Sequence, residues 1–170
     1  MKLLGIHLDS HLNWESQVAA VICKLQSAVW ALRNLVKIAT PNCCLLFYHA
    51  HVVSHLRYGL ILWGRCSSAK EVFVEQKKLL RILFNRPYNS SCRELFVEKG
   101  LLTLPSMYAY DCIKFSILNN FISPEDLTPA HGYNSRHRNI KNSRVRQCVS
   151  VRGVRYSAIQ CLTLDAQVYF

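Results

Sequence analysis

Met1-Lys2-Leu3-Leu4-Gly5-Ile6-His7-Leu8-Asp9-Ser10-His11-Leu12-Asn13-Trp14 is the stretch on which the fold turns. A short apolar strand over residues 3–8 carries a glycine, alternates briefly, and passes through capping residues into a long amphipathic helix. Asn13 is positioned to cap a helix from residue 14 to about 38. Trp14, Val18, Val21, Ile22, Leu25, Val29, Leu32 and Leu35/Val36 recur three and four apart, which marks one helical face. Thr40-Pro41 restarts the chain, Thr as N-cap and Pro in the first turn. This spacing predicts a second helix to about residue 63, with Leu45, Tyr48, Val52, His55/Leu56 and Gly59 on one side. A glycine inside a helix costs roughly 1 kcal/mol against alanine, so close packing of another element is the reason expected for Gly59.

Working outward, Ser68-Ala69-Lys70-Glu71 and Ser91-Cys92-Arg93-Glu94 both fit the Ser-x-x-Glu capping box. The first opens a helix to about residue 85. The second opens a short one that Gly100 terminates. Pro105 suits the first turn of a fifth helix ending at 119 or 120. The only other strand signal is at 147–154. The expected fold class is therefore mainly α: a bundle of about five helices behind an N-terminal strand stub. Ser123-Pro124-Glu125-Asp126-Leu127-Thr128-Pro129 reads as a linker, and from Ala130 to Leu164 there are seven Lys/Arg and no acid. That division gives 1–12 as a leading strand, 13–122 as the helical domain, and 123–170 as a linker and poorly ordered basic tail.

The chain has 170 residues, enough for one domain with a core, and 51% of them are apolar, which argues against general disorder. Lys and Arg number 21 against 10 Asp and Glu, a formal charge of +11, so the expected partner is a polyanion. No secretory signal is legible, since His7, Asp9 and His11 interrupt the leading apolar residues. The most apolar window carries His49, His51, His55 and Arg57 and is no simple membrane span. These features predict an intracellular protein, nuclear or cytoplasmic, with no membrane or small-molecule substrate. Its eight cysteines are expected as reduced thiols.

Catalytic chemistry is sparse. Nucleotidyl transfer needs carboxylates that hold two metal ions, yet there is no Asp pair, and Glu125-Asp126 sits in the linker. His51 and His55 are four apart with Cys44 seven before His51, but no Cys-x-x-Cys or His-Glu-x-x-His accompanies them. Structural histidine is the better reading, and neither a metal site nor a Cys–His nucleophile is expected. The third helix carries a stronger pattern. Lys70, Lys77, Lys78 and Arg81 recur on one side and Arg86 extends them, while Ala69, Val72, Phe73, Leu79, Leu80 and Leu83 take the other. Such a stripe suits a phosphate backbone, although an ordinary solvated face has the same composition. The tail adds Arg136, Arg138, Lys141, Arg144, Arg146, Arg152 and Arg155, with Tyr133 and Tyr156 available to stack on bases.

Several blocks, in order, resemble the reverse transcriptases of jockey-like non-LTR retrotransposons, at the junction of palm and thumb and beyond it. They are Leu3-Leu4-Gly5-Ile6 with Leu8-Asp9 and Leu12-Asn13-Trp14, then Ser54-His55-Leu56-Arg57-Tyr58-Gly59 with Trp63-Gly64. Glu75-Gln76-Lys77-Lys78-Leu79-Leu80-Arg81-Ile82-Leu83, Cys92-Arg93-Glu94-Leu95-Phe96, Leu102-Thr103-Leu104-Pro105-Ser106 and Tyr133-Asn134-Ser135-Arg136 follow. The resemblance spans about residues 2–138; in Gly153-Val154-Arg155-Tyr156 the family's Asn and Pro are missing. It implies an RNA-directed DNA polymerase whose Mg2+-dependent palm lies upstream, and a piece with no polymerase activity and no cofactor of its own. It also implies that Lys2, Leu3, Leu4 and Gly5 are primer-grip-like, that the basic helices track a primer–template or RNA–DNA duplex, and that a palm-facing surface is left exposed. Implied partners are RNA, DNA or their hybrid, and the palm and fingers polypeptide. The alternative is a non-catalytic helical scaffold or protein-interaction module, or a relic without function.

Overall fold

Helix formation begins one residue later than the capping pattern suggests, for a backbone reason. In the computed structural model, which describes residues 1–119, Trp14 is left-handed (φ 64°, ψ 10°) and no side chain caps the helix that follows. Asn13 is therefore not the cap. A non-glycine residue in this region costs about 1–2 kcal/mol. Burying an indole of 150–250 Å² returns roughly 4–6 kcal/mol at 25 cal/mol/Å², and Trp14 is buried. Packing thus sets the turn, and the Trp14 carbonyl accepts the first helical bond, from Val18 N–H at 2.9 Å.

The described elements are β1 (Lys2–Leu3), β2 (Ile6–His7), α1 (Glu15–Ile38), α2 (41–57), α3 (Leu60–Trp63), α4 (Ala69–Leu83), α5 (Arg93–Glu98) and α6 (Leu104–Leu118). The protein is mainly α with a two-stranded stub at its front. The expected single strand over 3–8 is instead a hairpin, with Lys2 opposite His7 and Leu3 opposite Ile6. Leu4 and Gly5 both have positive φ (47° and 82°), the two-residue turn that matches strand twist. His7 N–H donates to the buried Gln17 side-chain oxygen at 2.9 Å, tying the hairpin to α1.

Thr40 caps α2 as expected, its hydroxyl accepting from Cys43 N–H at 3.5 Å ahead of Pro41. The buried stripe of α2 is Cys44, Tyr48, Val52 and Leu56, always four apart. Steps of four overshoot an α-helical turn by about 40°, so a pure α-helix would wind these residues off the face. The wider π-helical turn over Tyr48–Val53 takes up part of that drift.

The expected continuation to residue 63 fails at Tyr58-Gly59. Tyr58 is extended (φ −65°, ψ 109°) and Gly59 left-handed (φ 66°), so Gly59 lies in a break between two helices. The close-packing expectation does hold, because a Cβ there would stand 2.9 Å from Ile6 Cδ1. Trp63 Nε1–H donates to the Tyr58 carbonyl at 3.1 Å and seals the break.

Neither Ser-x-x-Glu box closes. Ser68 and Cys92, the residues before α4 and α5, both adopt helical dihedrals and cap nothing with their side chains. Ser91 Oγ instead accepts from Arg93 N–H at 3.3 Å. Gly100 (φ 61°) ends α5 as expected, with Leu101 N–H reaching Phe96 O at 2.9 Å and Gly100 N–H reaching Val97 O at 3.2 Å. Asn85 (φ 49°) ends α4 the same way, through Arg86 N–H to Arg81 O at 2.8 Å.

The chain divides into two units, Met1–Met107 and Tyr108–Phe170. In the first, α1 lies along α4, and Val18, Val21, Leu25, Ala28 and Leu32 are buried with Val72, Leu79, Leu80 and Leu83. The fully buried Gln76 donates to Tyr48 Oη and Leu102 O, both at 3.0 Å, and accepts from Leu104 N–H at 2.9 Å. Thr103 Oγ1 caps α6 by accepting from Ser106 N–H at 3.2 Å. In the second unit, Ala109, Cys112 and Ser116 are buried, and Ser116 Oγ has no hydrogen-bond partner among the described residues. The expected linker and basic tail, with Arg136, Arg138, Lys141, Arg144 and Arg146, lie outside the described residues.

Candidate nucleic-acid interface

Steps of seven and four return to within about 20° of one side of an α-helix, so Lys70, Lys77 and Arg81 line up along α4 with Lys70 exposed. Lys78 sits about 80° round from that line. Its Nζ lies 2.6 Å from Oε1 of the buried Glu75, so its charge is already matched. Lys77 Nζ stands 4.4 Å from the Phe73 ring centroid, and Phe73 in turn lies beside Phe96. This cation rests on an apolar patch and keeps its outer side in water.

Arg81 is held more firmly than its neighbours. Its Nε–H donates to the Ser90 carbonyl at 3.1 Å, and its guanidinium carbon is 5.7 Å from the Tyr88 ring centroid. Arg86 is exposed beyond the helix end and contributes positive potential at Glu98. The Glu98 carboxyl is held below its ordinary range, first by its hydrogen bond to Lys99, then by the Lys99 charge, with Arg86 adding a smaller effect. Lys99 Nζ is 2.6 Å from Glu98 and 5.7 Å from the Phe84 ring centroid. Tyr88 and Lys99 were not among the residues expected at this site. Their only signal was position, one in the turn after a basic helix and one just before the terminating Gly100.

Lys2, Leu3, Leu4 and Gly5, for which the resemblance implies a primer-grip-like place, form the exposed first strand and turn of the hairpin. The Tyr58 hydroxyl donates to the Leu4 carbonyl, and Gly59 faces Ile6. The structure thus joins 3–6 to 58–59, and through Gln76 and Cys92 it joins 76–77 to 92–104; Cys92 Sγ lies 3.7 Å from Lys77 O.

The histidines of α2 lie against one another and against an aromatic ring. His51 stacks on Phe47 and meets His55 edge-on at 4.7 Å, while Cys44 is buried on another side. Partial burial, followed by the charges of His51 and Lys24, holds the His55 imidazole below its ordinary value. Among the described residues no group of three or more His, Cys, Asp or Glu is placed to hold a metal ion. None of their helices is long and apolar enough to cross a membrane.

No family model, curated protein or solved structure matches this chain. The candidate site is therefore read from its own residues: an ordered row of cations on one side of α4, continued at the C-terminal end by a stitched turn.

Proposed function

We propose that this chain is a thumb-like piece of a non-LTR retrotransposon reverse transcriptase, without polymerase chemistry of its own. Its role is sequence-independent contact with the backbone of a primer–template or RNA–DNA duplex. The observation that carries the reading is the in-line row Lys70, Lys77 and Arg81 on α4. Eleven residues of helix span about 16 Å. A duplex presents one phosphate charge per roughly 1.7 Å of axis, so the row is long enough to meet several phosphates. Further support comes from the joining of segments 3–6 with 58–59 and 76–77 with 92–104, the blocks on which the family resemblance rests. The test is binding of the purified chain to a labelled RNA–DNA hybrid over a salt series, beside a helical protein of equal charge. Tighter binding than that control, with a steep log–log salt slope, is expected. Affinity equal to the control would overturn the reading.

A second reading, a non-catalytic scaffold for a protein partner, is favoured by one observation. Met1 and Leu4 on the hairpin are 87% and 84% exposed, with Leu3 and Tyr58 about half exposed beside them. It predicts self-association in sedimentation experiments and nucleic-acid affinity no greater than bulk charge provides.

A further inference from the structure

We propose that Tyr88 is a stacking platform for an unpaired nucleobase, set at the C-terminal end of the cationic side of α4. The inference rests on the nucleic-acid reading for its class of ligand and goes beyond backbone contact.

An exposed tyrosine is ordinary by itself. What distinguishes Tyr88, 74% exposed, is how its turn is held. Left-handed Asn85 closes α4, and Arg86 N–H returns to Arg81 O at 2.8 Å. Ser90 donates twice to the Pro87 carbonyl, from N–H at 3.0 Å and from Oγ at 2.7 Å. Ser90's own carbonyl accepts from Arg81 Nε–H at 3.1 Å. Both ends of the turn are thus stitched to one arginine, whose guanidinium lies over the Tyr88 ring. The guanidinium, 5.7 Å from the ring centroid, leaves most of the ring open to solvent, and exposed Arg86 stands two residues away in sequence.

An exposed aromatic ring on a held turn beside a cation is the arrangement that takes single-stranded nucleic acid without reading sequence. The base stacks on the ring and the flanking phosphates meet the arginines. Every base has a π-face, so no sequence preference follows. Bases inside a duplex are already stacked and paired, so the ligand is an unpaired nucleotide, such as a single-stranded extension beside a duplex. Glu98, an acid that feels the Arg86 charge, is already matched by Lys99 at 2.6 Å.

The experiment compares binding of the full chain to three hybrids with equal numbers of phosphates. One is blunt, one carries a short single-stranded extension, and one carries the same extension with abasic nucleotides. The extended hybrid should bind about fivefold more tightly, or better, than the other two. Y88A should abolish that preference while leaving the salt slope unchanged, since a tyrosine neutralises no phosphate. Y88F should retain the preference. Y88A that keeps the preference, or an abasic extension that binds as well as the intact one, would overturn the proposal. The two readings fail separately. Lys70 and Lys77 replaced by Gln with no change in salt slope would sink the α4 backbone contact, while a Tyr88-dependent preference would still stand. The reverse pattern would sink the stacking platform alone.

Discussion

Gln76 ties three separate segments together through one buried amide. It is fully buried on α4, donates to Tyr48 of α2 and to the Leu102 carbonyl, and satisfies the first amide of α6 at Leu104. A buried partner left unpaired costs about 1–3 kcal/mol. Gln76→Leu strands the Leu104 N–H and the Leu102 carbonyl, and should lower unfolding free energy in urea by about 3 kcal/mol or more. Tyr48, at the far end of one of these contacts, carries a pH signature of its own burial. Burial pushes its phenol up from 10.0 to about 12, and the Gln76 hydrogen bond opposes this only in part. A raised phenol means that the folded state holds its proton longer than the unfolded chain. The contribution is complete at neutral pH and is lost as pH rises from about 10 to about 12, amounting to roughly 2–3 kcal/mol. Urea titrations across that range should show Y48F with a shallower decline than the wild type. A polar residue in a basic helix reads as surface, so this role was hard to see in sequence. The available signal was register: position 76 falls among Val72, Leu79, Leu80 and Leu83, inside the apolar stripe.

Among the elements, the break between α2 and α3 makes the sharpest demand on residue type. Gly59→Ala must hold a left-handed backbone, at about 1–2 kcal/mol, and must also displace Ile6, whose Cδ1 would stand 2.9 Å from the new Cβ. The expected loss is about 1–2 kcal/mol from the backbone, with a smaller addition for moving the end of the Ile6 side chain, by chemical denaturation. In an Ile6→Ala background the steric part should vanish and the penalty of Gly59→Ala should shrink to its backbone part; an unchanged penalty would deny the contact. The same elements mark how far sequence carries. Thr40-Pro41 and Gly100 were legible because each acts through its own backbone geometry. The two Ser-x-x-Glu patterns were legible only in part: Ser68 had already adopted helical dihedrals and caps nothing, whereas Ser91 caps Arg93 N–H but its Glu94 does not close the box. Trp14 misled because burial of its indole overrode the local preference for Asn13. The basic row on α4 was legible as a row, but the partners that divide it were not. Glu75 matches Lys78, whereas Lys70, Lys77 and Arg81 stay in line, a division set by helical period and by the Glu75 side chain's choice of partner.

On the scale of the whole molecule the question is whether +11 acts as a diffuse field or as a placed one. Two triple variants separate these cases. Lys70, Lys77 and Arg81 replaced by Gln empties the row on α4; Lys24, Arg33 and Lys37 replaced by Gln empties exposed positions on α1. Each removes three cations and takes the formal charge from +11 to +8, so long-range steering weakens about equally in both. Counterion release does not, because it depends on the phosphates actually neutralised, at about 0.9 in log–log slope for each. Three phosphates no longer neutralised should lower the salt slope by about 2–3, and only the α4 variant should show it. The α1 variant should keep the wild-type slope with a modest, uniform loss of affinity. Equal slopes in the two variants would mean that bulk charge accounts for the binding, and that the line of cations on α4 is a solvated face and nothing more.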